Sequence, residues 1–463
     1  VTFKIPLSLS RKIFRANDIR GDVNTELTPD VVYAIGLAFG SEINQIRQKK
    51  IIIGRDGRLS SETLSQALAQ GLMHSGFDII DIGAVPTPLL YFATYVLETS
   101  SGIMITGSHN PSNNNGLKIV LEQQILSEQQ IASIYERIQE KKFQEGSGHL
   151  ETVNIIPIYY KYVLKGIKLK RKLRVVTDCG NGIVGKLFPT LAEQLGCEVI
   201  KLFCTVDGTF PNHFPDPTVP ANLSDLIQSV VEHQADIGVA FDGDGDRLGI
   251  VTNQGKIIWP DRQLMLFAKN VLERNPNGTV IYDVKCTRLL NPWIRKYHGH
   301  PLMWKTGHSF IKSKIHEVGA KLAGEMSGHF YFADRWFGFD DGLYAASRLF
   351  EILSIENETA DHIFSKIPNS INTPELRVAI DDNKKFQFMQ ELEKHGVFPE
   401  GKTTAIDGIR VDYDFGFGLV RASNTTPCLI LRFEADTDEQ LIQIQEIFRK
   451  QILNIDPTLL LPF

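Results

Sequence analysis

Three carboxylates within five residues are the first chemistry the sequence offers. Asp242, Asp244 and Asp246 alternate with Gly243 and Gly245, between the apolar runs 237–241 and 248–251. Alternate side chains of an extended segment share a face, so this spacing aims three anions at one point. Clustered carboxylates repel unless a cation joins them, and an all-oxygen donor set favours a hard ion, Mg²⁺ before Zn²⁺. Arg247 follows at once and can hold an anion beside the metal. The local chemistry is that of a divalent ion handling phosphate. An EF-hand Ca²⁺ loop needs Gly at its sixth position and Glu at its twelfth. Counted from Asp242 those positions are Arg247 and Asn253, which excludes it. A solvated acidic turn is the plainer alternative, and the two flanking apolar runs argue against it.

Other loops offer weaker signals. Residues 106–111 read TGSHNP after the apolar stretch 102–105. Ser108 lies past a strand end, where α/β folds place ligands, and His109 stands beside it. A serine nucleophile and an ordinary polar turn both fit. The hydrolase elbow G-x-S-x-G is absent, because Asn110 stands where its second Gly would be. Lys118 can reach back toward the serine or simply be solvated. Segments 305–309 (KTGHS) and 324–329 (GEMSGH) bring His308, Glu325, Ser327 and His329. Such groups read sugar hydroxyls or move protons, although a single histidine is often structural. Segment 421–427 (RASNTTP) sets Arg421 among hydroxyls and backbone N–H groups, which suits a phosphate clamp or a plain hairpin loop. Residues 180–185 spell G-x-G-x-x-G, but a dinucleotide site wants an acid at the end of the next strand. Glu198 stands at that strand's beginning and Lys201 toward its end. Tight strand-to-helix packing explains these glycines better.

The elements that must position these loops recur. Strand 51–53 leads through a polar turn to a helix with Leu64, Ala67, Leu68 and Leu72 on one face, then strand 77–82. Strand 173–177, a helix with Leu187, Leu191 and Leu195, and strand 198–203 repeat the pattern. Strands 280–282 and 301–304 frame a third copy. Such alternation implies parallel βαβ units covered on both faces. Beyond them, 375–380, 408–413, 419–422 and 428–435 read as strands, before a helix carrying Leu441, Ile444 and Phe448. The expected fold is α/β: three tandem similar α/β domains with mixed, mostly parallel sheets, plus a C-terminal α+β domain. The expected domains are 1–150, 151–254, 255–368 and 369–463, carrying in turn the serine, metal, sugar and phosphate loops. Linkers are expected near 145–152, 253–256 and 368–374.

At 463 residues and net charge −5, with both signs interspersed, the chain lacks the basic stripe of a nucleic-acid binder. Five cysteines, an odd number without a C-x-x-C pair, fit buried thiols in a reducing cytoplasm better than disulfides or zinc. No apolar run approaches the ~18 residues of a membrane span.

Taken together, the loops resemble the α-D-phosphohexomutase superfamily, and within it the bacterial members that act on both mannose and glucose phosphates. The matching segments run in family order from residue 14 to 427: FRANDIRG, TGSHNP, NGLK, DGDGDR, DVKCT, TGHS, GEMSGH, RWFGFDDG and RASNTTP. The resemblance implies a heart-shaped, four-domain monomer with a central cleft. It makes Ser108 the phosphorylated residue, with Asp242, Asp244, Asp246 and a phosphoserine oxygen binding Mg²⁺. Arg20, Lys118 and Arg247 add positive charge there, and Lys118 and His329 are the candidates for proton transfer. Glu325 and Ser327 match the readers of sugar hydroxyls, and His308 and Lys285 line the sugar side. Arg421, Ser423, Asn424 and Thr425 match the clamp on the non-reacting phosphate. The implied reaction moves a phosphoryl group between the 6- and 1-positions of mannose and glucose phosphates through a 1,6-bisphosphate, which also primes the enzyme. One departure is Asn17, where the family usually has Tyr; it bears on sugar preference, not on reaction type. A phosphoglucosamine mutase is the nearest alternative, but that relative typically has Gln where this chain has Met326. A metal-dependent phosphatase and a non-catalytic sugar-phosphate sensor are the others.

Overall fold

Ile51, Ile52 and Ile53 leave no polar side chain at the centre of the strand Lys50–Arg55, and it is buried between two parallel neighbours, Gly102–Ile105 and Asp78–Ala84. Asn114–Leu121 closes antiparallel on Gly102–Ile105, and Ile19–Asp22 closes antiparallel on Asn114–Leu121. Helices Pro29–Glu42 and Ser61–His74 pack against each other where Gly36 and Gly71 meet. A Cβ on Gly36 would lie 2.8 Å from the Leu68 carbonyl oxygen, and one on Gly71 would collide with that of Tyr33. This computed structural model describes residues 3–6, 8–15, 18–42, 49–423 and 426–463.

The second sheet orders Ile257–Ile258, Leu248–Thr252, Ile237–Phe241, Arg174–Asp178 and Glu198–Leu202. Its last three strands are parallel, and Leu248–Thr252 pairs antiparallel with Ile237–Phe241. In the third copy Thr279–Asp283 lies parallel to both His300–Trp304 and Leu322–Gly324. The C-terminal sheet is antiparallel, built on Cys428–Ala435, Gly416–Ala422 and Ile409–Tyr413. The helix Asp438–Ile455 lays Ile444, Phe448 and Ile452 into its core, and Thr437 and Gln440 close a capping box at its start. The expected fold class is borne out: mixed sheets with parallel strands, then an antiparallel C-terminal domain.

Short stretches of paired backbone fall within the three expected linkers. Leu150–Thr152 adds a parallel strand to Asp78–Ala84. Residues 253–256 form a tight turn, with Gly255 at φ +76° and Thr252 N–H on the Lys256 carbonyl at 2.9 Å. Ile371–Asn372 pairs with Cys428–Ala435. The helix Lys385–His395, which buries Phe388 and Leu392, was not expected.

By contact density the chain forms two compact units. One contains Val1–Pro260 and Ser327–Phe364, the other Asp261–Met326 and Ser365–Phe463. No helix among the described residues is long and apolar enough to cross a membrane.

Candidate active site

In the first unit, the buried strand Ile237–Phe241 delivers Asp242, Asp244 and Asp246, each at most 1% exposed. The three converge through a turn, not through a continued extended strand. Gly245 takes φ +78°, where a Cβ would press within 2.6 Å of Val184. Asp242 Oδ1 closes this turn by accepting the N–H groups of Gly245 at 3.0 Å and Arg247 at 3.1 Å. Its Oδ2 accepts the Ser108 hydroxyl at 2.7 Å. The serine and the acid triplet, 134 residues apart in sequence, are therefore in direct contact.

Ser108 sits in the left-handed region at φ +48°, a costly conformation for a residue other than Gly that clusters at functional sites. What holds it there is Arg58. Its guanidinium donates to the carbonyls of Ser108 (2.8 Å), Asn110 (2.6 Å), Pro111 (2.6 Å) and Asn114 (2.9 Å). Asp56 backs the guanidinium at 3.3 Å and accepts Thr106 Oγ1 at 2.8 Å and Gly107 N–H at 3.1 Å.

Lys118, only 5% exposed on the strand Asn114–Leu121, donates to Asp244 at 2.7 Å and to Asp246 at 2.5 Å. Burial opposes its charge, but Asp244 and Asp246 outweigh burial and hold the ammonium well above the usual lysine range. Asp244 also accepts Thr87 Oγ1 at 2.5 Å and Thr106 Oγ1 at 3.2 Å. Burial, then Asp246 and Asp244, pushes the Asp242 carboxyl well up. Burial raises Asp246 too, yet Lys118 and His329 overcome it and keep that carboxylate ionised.

The remaining groups surround this centre. His329 Nε2 lies 3.2 Å from Asp246 Oδ1, and its Nδ1 lies 2.7 Å from Ser327 Oγ. His109 Nδ1 is 3.1 Å from Ser108 Oγ. Burial, with Arg247 and Arg20 nearby, keeps that imidazole neutral. Arg247 approaches Asp242 and Asp216, each at 3.9 Å. Arg20 donates to Asn110 Oδ1 at 2.9 Å, two residues past the serine, and pairs with Asp18 at 2.7 Å.

Oxygens of the three acids lie within 4.8 Å of one another. Asp244 Oδ1 is buried with no hydrogen-bond partner among the described residues. An all-carboxylate set with an oxygen to spare fits a hard divalent metal ion. Lys118 compensates only part of the charge of these acids.

In the second unit, Lys285 is 6% exposed and donates to Glu375 at 2.6 Å. Arg421, 4% exposed, makes a two-point contact with Asp407 at 3.1 and 3.2 Å. Asp407 also accepts the Thr306 N–H at 3.0 Å. Gly307, at φ +130° before the helix His308–Val318, donates its N–H to Glu325 at 2.6 Å. Ser423 Oγ lies 2.8 Å from Thr426 Oγ1. Lys285, Thr306, Glu325 and Arg421 are thus tied into ordered loops, and His308 opens the adjoining helix. Asn17, Asn424 and Thr425 lie outside the described residues.

Models of four successive domains match the chain. Phosphoglucomutase/phosphomannomutase alpha/beta/alpha domains I, II and III match residues 11–145, 157–255 and 259–370, and the C-terminal domain matches 375–451. The chain belongs to the phosphoglucomutase/phosphomannomutase family. With that family it is an isomerase, a hexose phosphate mutase. A phosphomannomutase/phosphoglucomutase of Pseudomonas aeruginosa is 52% identical over 462 residues, 100% of both chains. A phosphoglucomutase of Neisseria gonorrhoeae is 47% identical, covering 98% of this chain and 99% of its own. A crystal structure of a phosphoglucomutase/phosphomannomutase family protein from Burkholderia thailandensis superposes with a TM-score of 0.95 at 48% identity, covering 98% and 100% of the two chains. Asp56, Arg58, Thr87, Glu375 and Asp407, which brace this mutase's loops, went unnoticed in the sequence. Their partners are distant in sequence, and no local pattern marks them.

Proposed function

We propose that Ser108, when phosphorylated, gives its phosphoryl group to the free 1- or 6-hydroxyl of a hexose phosphate. It then recovers the other phosphoryl group from the 1,6-bisphosphate so formed. The observation that carries this reading is the 2.7 Å contact between Ser108 Oγ and Asp242 inside a buried, charge-rich centre. In this reading Asp242, Asp244, Asp246 and a phosphoserine oxygen hold Mg²⁺. Bound there, the ion neutralises charge on the transferring group.

The chain's own residues do the rest. Arg20, Arg247 and the neutral His109 flank the phosphoryl group. Lys118 and His329 hand protons to and from the sugar hydroxyl. Lys118 is held in its charged form by Asp244 and Asp246, and a cation shared with those acids loosens that hold. Lys285, His308, Glu325 and Ser327 read the sugar. Arg421, Ser423, Asn424 and Thr425 hold the non-reacting phosphate, which fixes the acceptor hydroxyl's reach and favours transfer over hydrolysis.

The substrates in this reading are the 1- and 6-phosphates of mannose and glucose, with glucose 1,6-bisphosphate or mannose 1,6-bisphosphate as activator. The working form is a cytoplasmic monomer with domain borders near residues 150, 254 and 368. Intact-mass measurement is expected to find one added phosphoryl group, lost in Ser108→Ala together with mutase activity. Faster turnover of glucosamine 6-phosphate than of mannose 1-phosphate would favour the phosphoglucosamine alternative. Net phosphate release without isomer would make the protein a phosphatase.

A further inference from the structure

The parallel strands Arg174–Asp178 and Glu198–Leu202 end side by side, and the loops that leave them carry Cys179 and Cys204. The two sulfurs are 3.4 Å apart. Cys179 is fully buried, whereas Cys204 is partly exposed. Backbone bonds zip the loops together: Cys179 N–H to Leu202 at 3.1 Å and Asn181 N–H to Phe203 at 2.8 Å. Both loops hold left-handed residues, Gly180 at φ +48°, Asn181 at +57° and Phe203 at +49°. A disulfide needs sulfurs about 2.0 Å apart. From 3.4 Å, closure therefore asks for roughly 1.4 Å of approach.

The loops that carry the sulfurs are in contact with segments next to the transfer centre. A Cβ on Gly185 would collide with the Cys204 carbonyl, so that loop already presses on the 182–185 segment. Ile183 N–H bonds the Gly243 carbonyl of the acid loop at 3.2 Å, and a Cβ on Gly182 would lie 2.8 Å from the same oxygen. On the other flank Val206 abuts Gly57, and Phe210 lies 5.0 Å from the Arg58 guanidinium that braces Ser108. The thiol pair thus connects through one intervening segment on each side to the acid loop and to the Arg58 brace.

We propose that Cys179 and Cys204 are a modification site: a dithiol that a small-molecule disulfide closes into a disulfide bond, slowing phosphoryl transfer. The accessible Cys204 thiolate attacks one sulfur of the small disulfide, forming a mixed disulfide and releasing one thiolate. The thiolate released in the first step takes up the Cys179 proton, and Cys179 then attacks Cys204 Sγ, expelling the second thiolate. Two protein thiols are oxidised, and one small disulfide is reduced to two thiols. The order of attack follows from exposure: a small disulfide reaches the partly exposed Cys204, while Cys179 is buried behind it.

The test incubates the full chain with oxidised glutathione, then measures intact mass and glucose 1-phosphate turnover before and after dithiothreitol. A loss of two hydrogen masses mapped to these cysteines is expected. Turnover should fall at least tenfold, toward the roughly hundredfold that an ångström-sized misplacement can cost, and return on reduction. Cys204→Ser should keep its turnover under the same treatment. A lasting glutathione adduct, unchanged thiols, or a closed disulfide with undiminished turnover each overturns the proposal. The mass reading does not depend on the mutase mechanism. Reduced protein without any isomerase activity would instead count against the function.

Discussion

In the unit that holds Ser108, one buried lysine lies between Asp244 and Asp246, and burial, then the neighbouring Asp246 and Asp244, pushes the Asp242 carboxyl well up. In the other unit two buried cations each face a carboxylate of their own, Lys285 with Glu375 and Arg421 with Asp407. The first arrangement is short of positive charge and ready to take up a metal. In the second, both of these cations are already balanced by a carboxylate. The first region suits a cation, and in the proposed function Asp407 orients the Arg421 guanidinium for the phosphate that the second region takes.

The sharpest way to break this contrast is at the serine. Ser108→Ala should lower kcat/KM about 10⁴-fold, the scale for deleting a nucleophile. Equal loss from Ser423→Ala would erase the distinction between the two regions. Next in size, Lys118→Met should cost roughly 10³-fold in kcat with little change in KM, as expected for a group that moves a proton. A KM effect alone would recast Lys118 as a mere counter-ion.

Two smaller effects probe the second region. Asp407→Asn loosens both Arg421 and the Thr306 backbone. It should raise KM about tenfold while kcat changes little, near the 1.4 kcal/mol expected for a charged hydrogen bond. A fall in kcat alone would show that Arg421 does not act through binding. Smallest is the Lys285–Glu375 pair. Lys285 chiefly, against the opposing effect of burial, draws the Glu375 carboxyl from the usual 4.5 to about 2. A depressed carboxyl stabilises the fold above the usual 4.5 and loses that contribution as pH falls toward 2. Because Glu375 is partly exposed, Glu375→Gln should cost only about 1 kcal/mol at neutral pH. Thermal unfolding of the two proteins should converge on acidification, and a gap independent of pH would refute the pairing.

Much of the reactive region was legible in the sequence, because its chemistry is compressed into short runs. The acid triplet needed only its spacing and two apolar flanks, and the order of nine loops supplied the rest. The route of convergence was not legible. A strand pattern and a Gly245 turn place the same carboxylates together, and only backbone angles tell them apart. The glycines at 180–185 were expected to serve strand-to-helix packing; Gly182 and Gly185 instead make room for the loop carbonyls of Gly243 and Cys204. The braces stayed hidden for another reason. Arg58 bonds carbonyls 50 to 56 residues away, and a carbonyl has no sequence identity. Asp407 and Glu375 lie in stretches whose polarity suits any surface loop.

The chain path between the two units has a cost during synthesis. His329, the neighbour of Asp246, and the helix Gly342–Ile355 belong to the first unit, yet they follow an excursion of 66 residues, Asp261–Met326, into the second. A ribosome that has delivered Pro260 has made the serine and all three acids but has not finished the pocket they need. Until residues 327–355 emerge, buried carboxylates wait without one of their partners, a long-range dependence that slows maturation and leaves the nascent chain exposed to aggregation. A truncation after Pro260 would accordingly yield an incomplete body, not a detachable catalytic half.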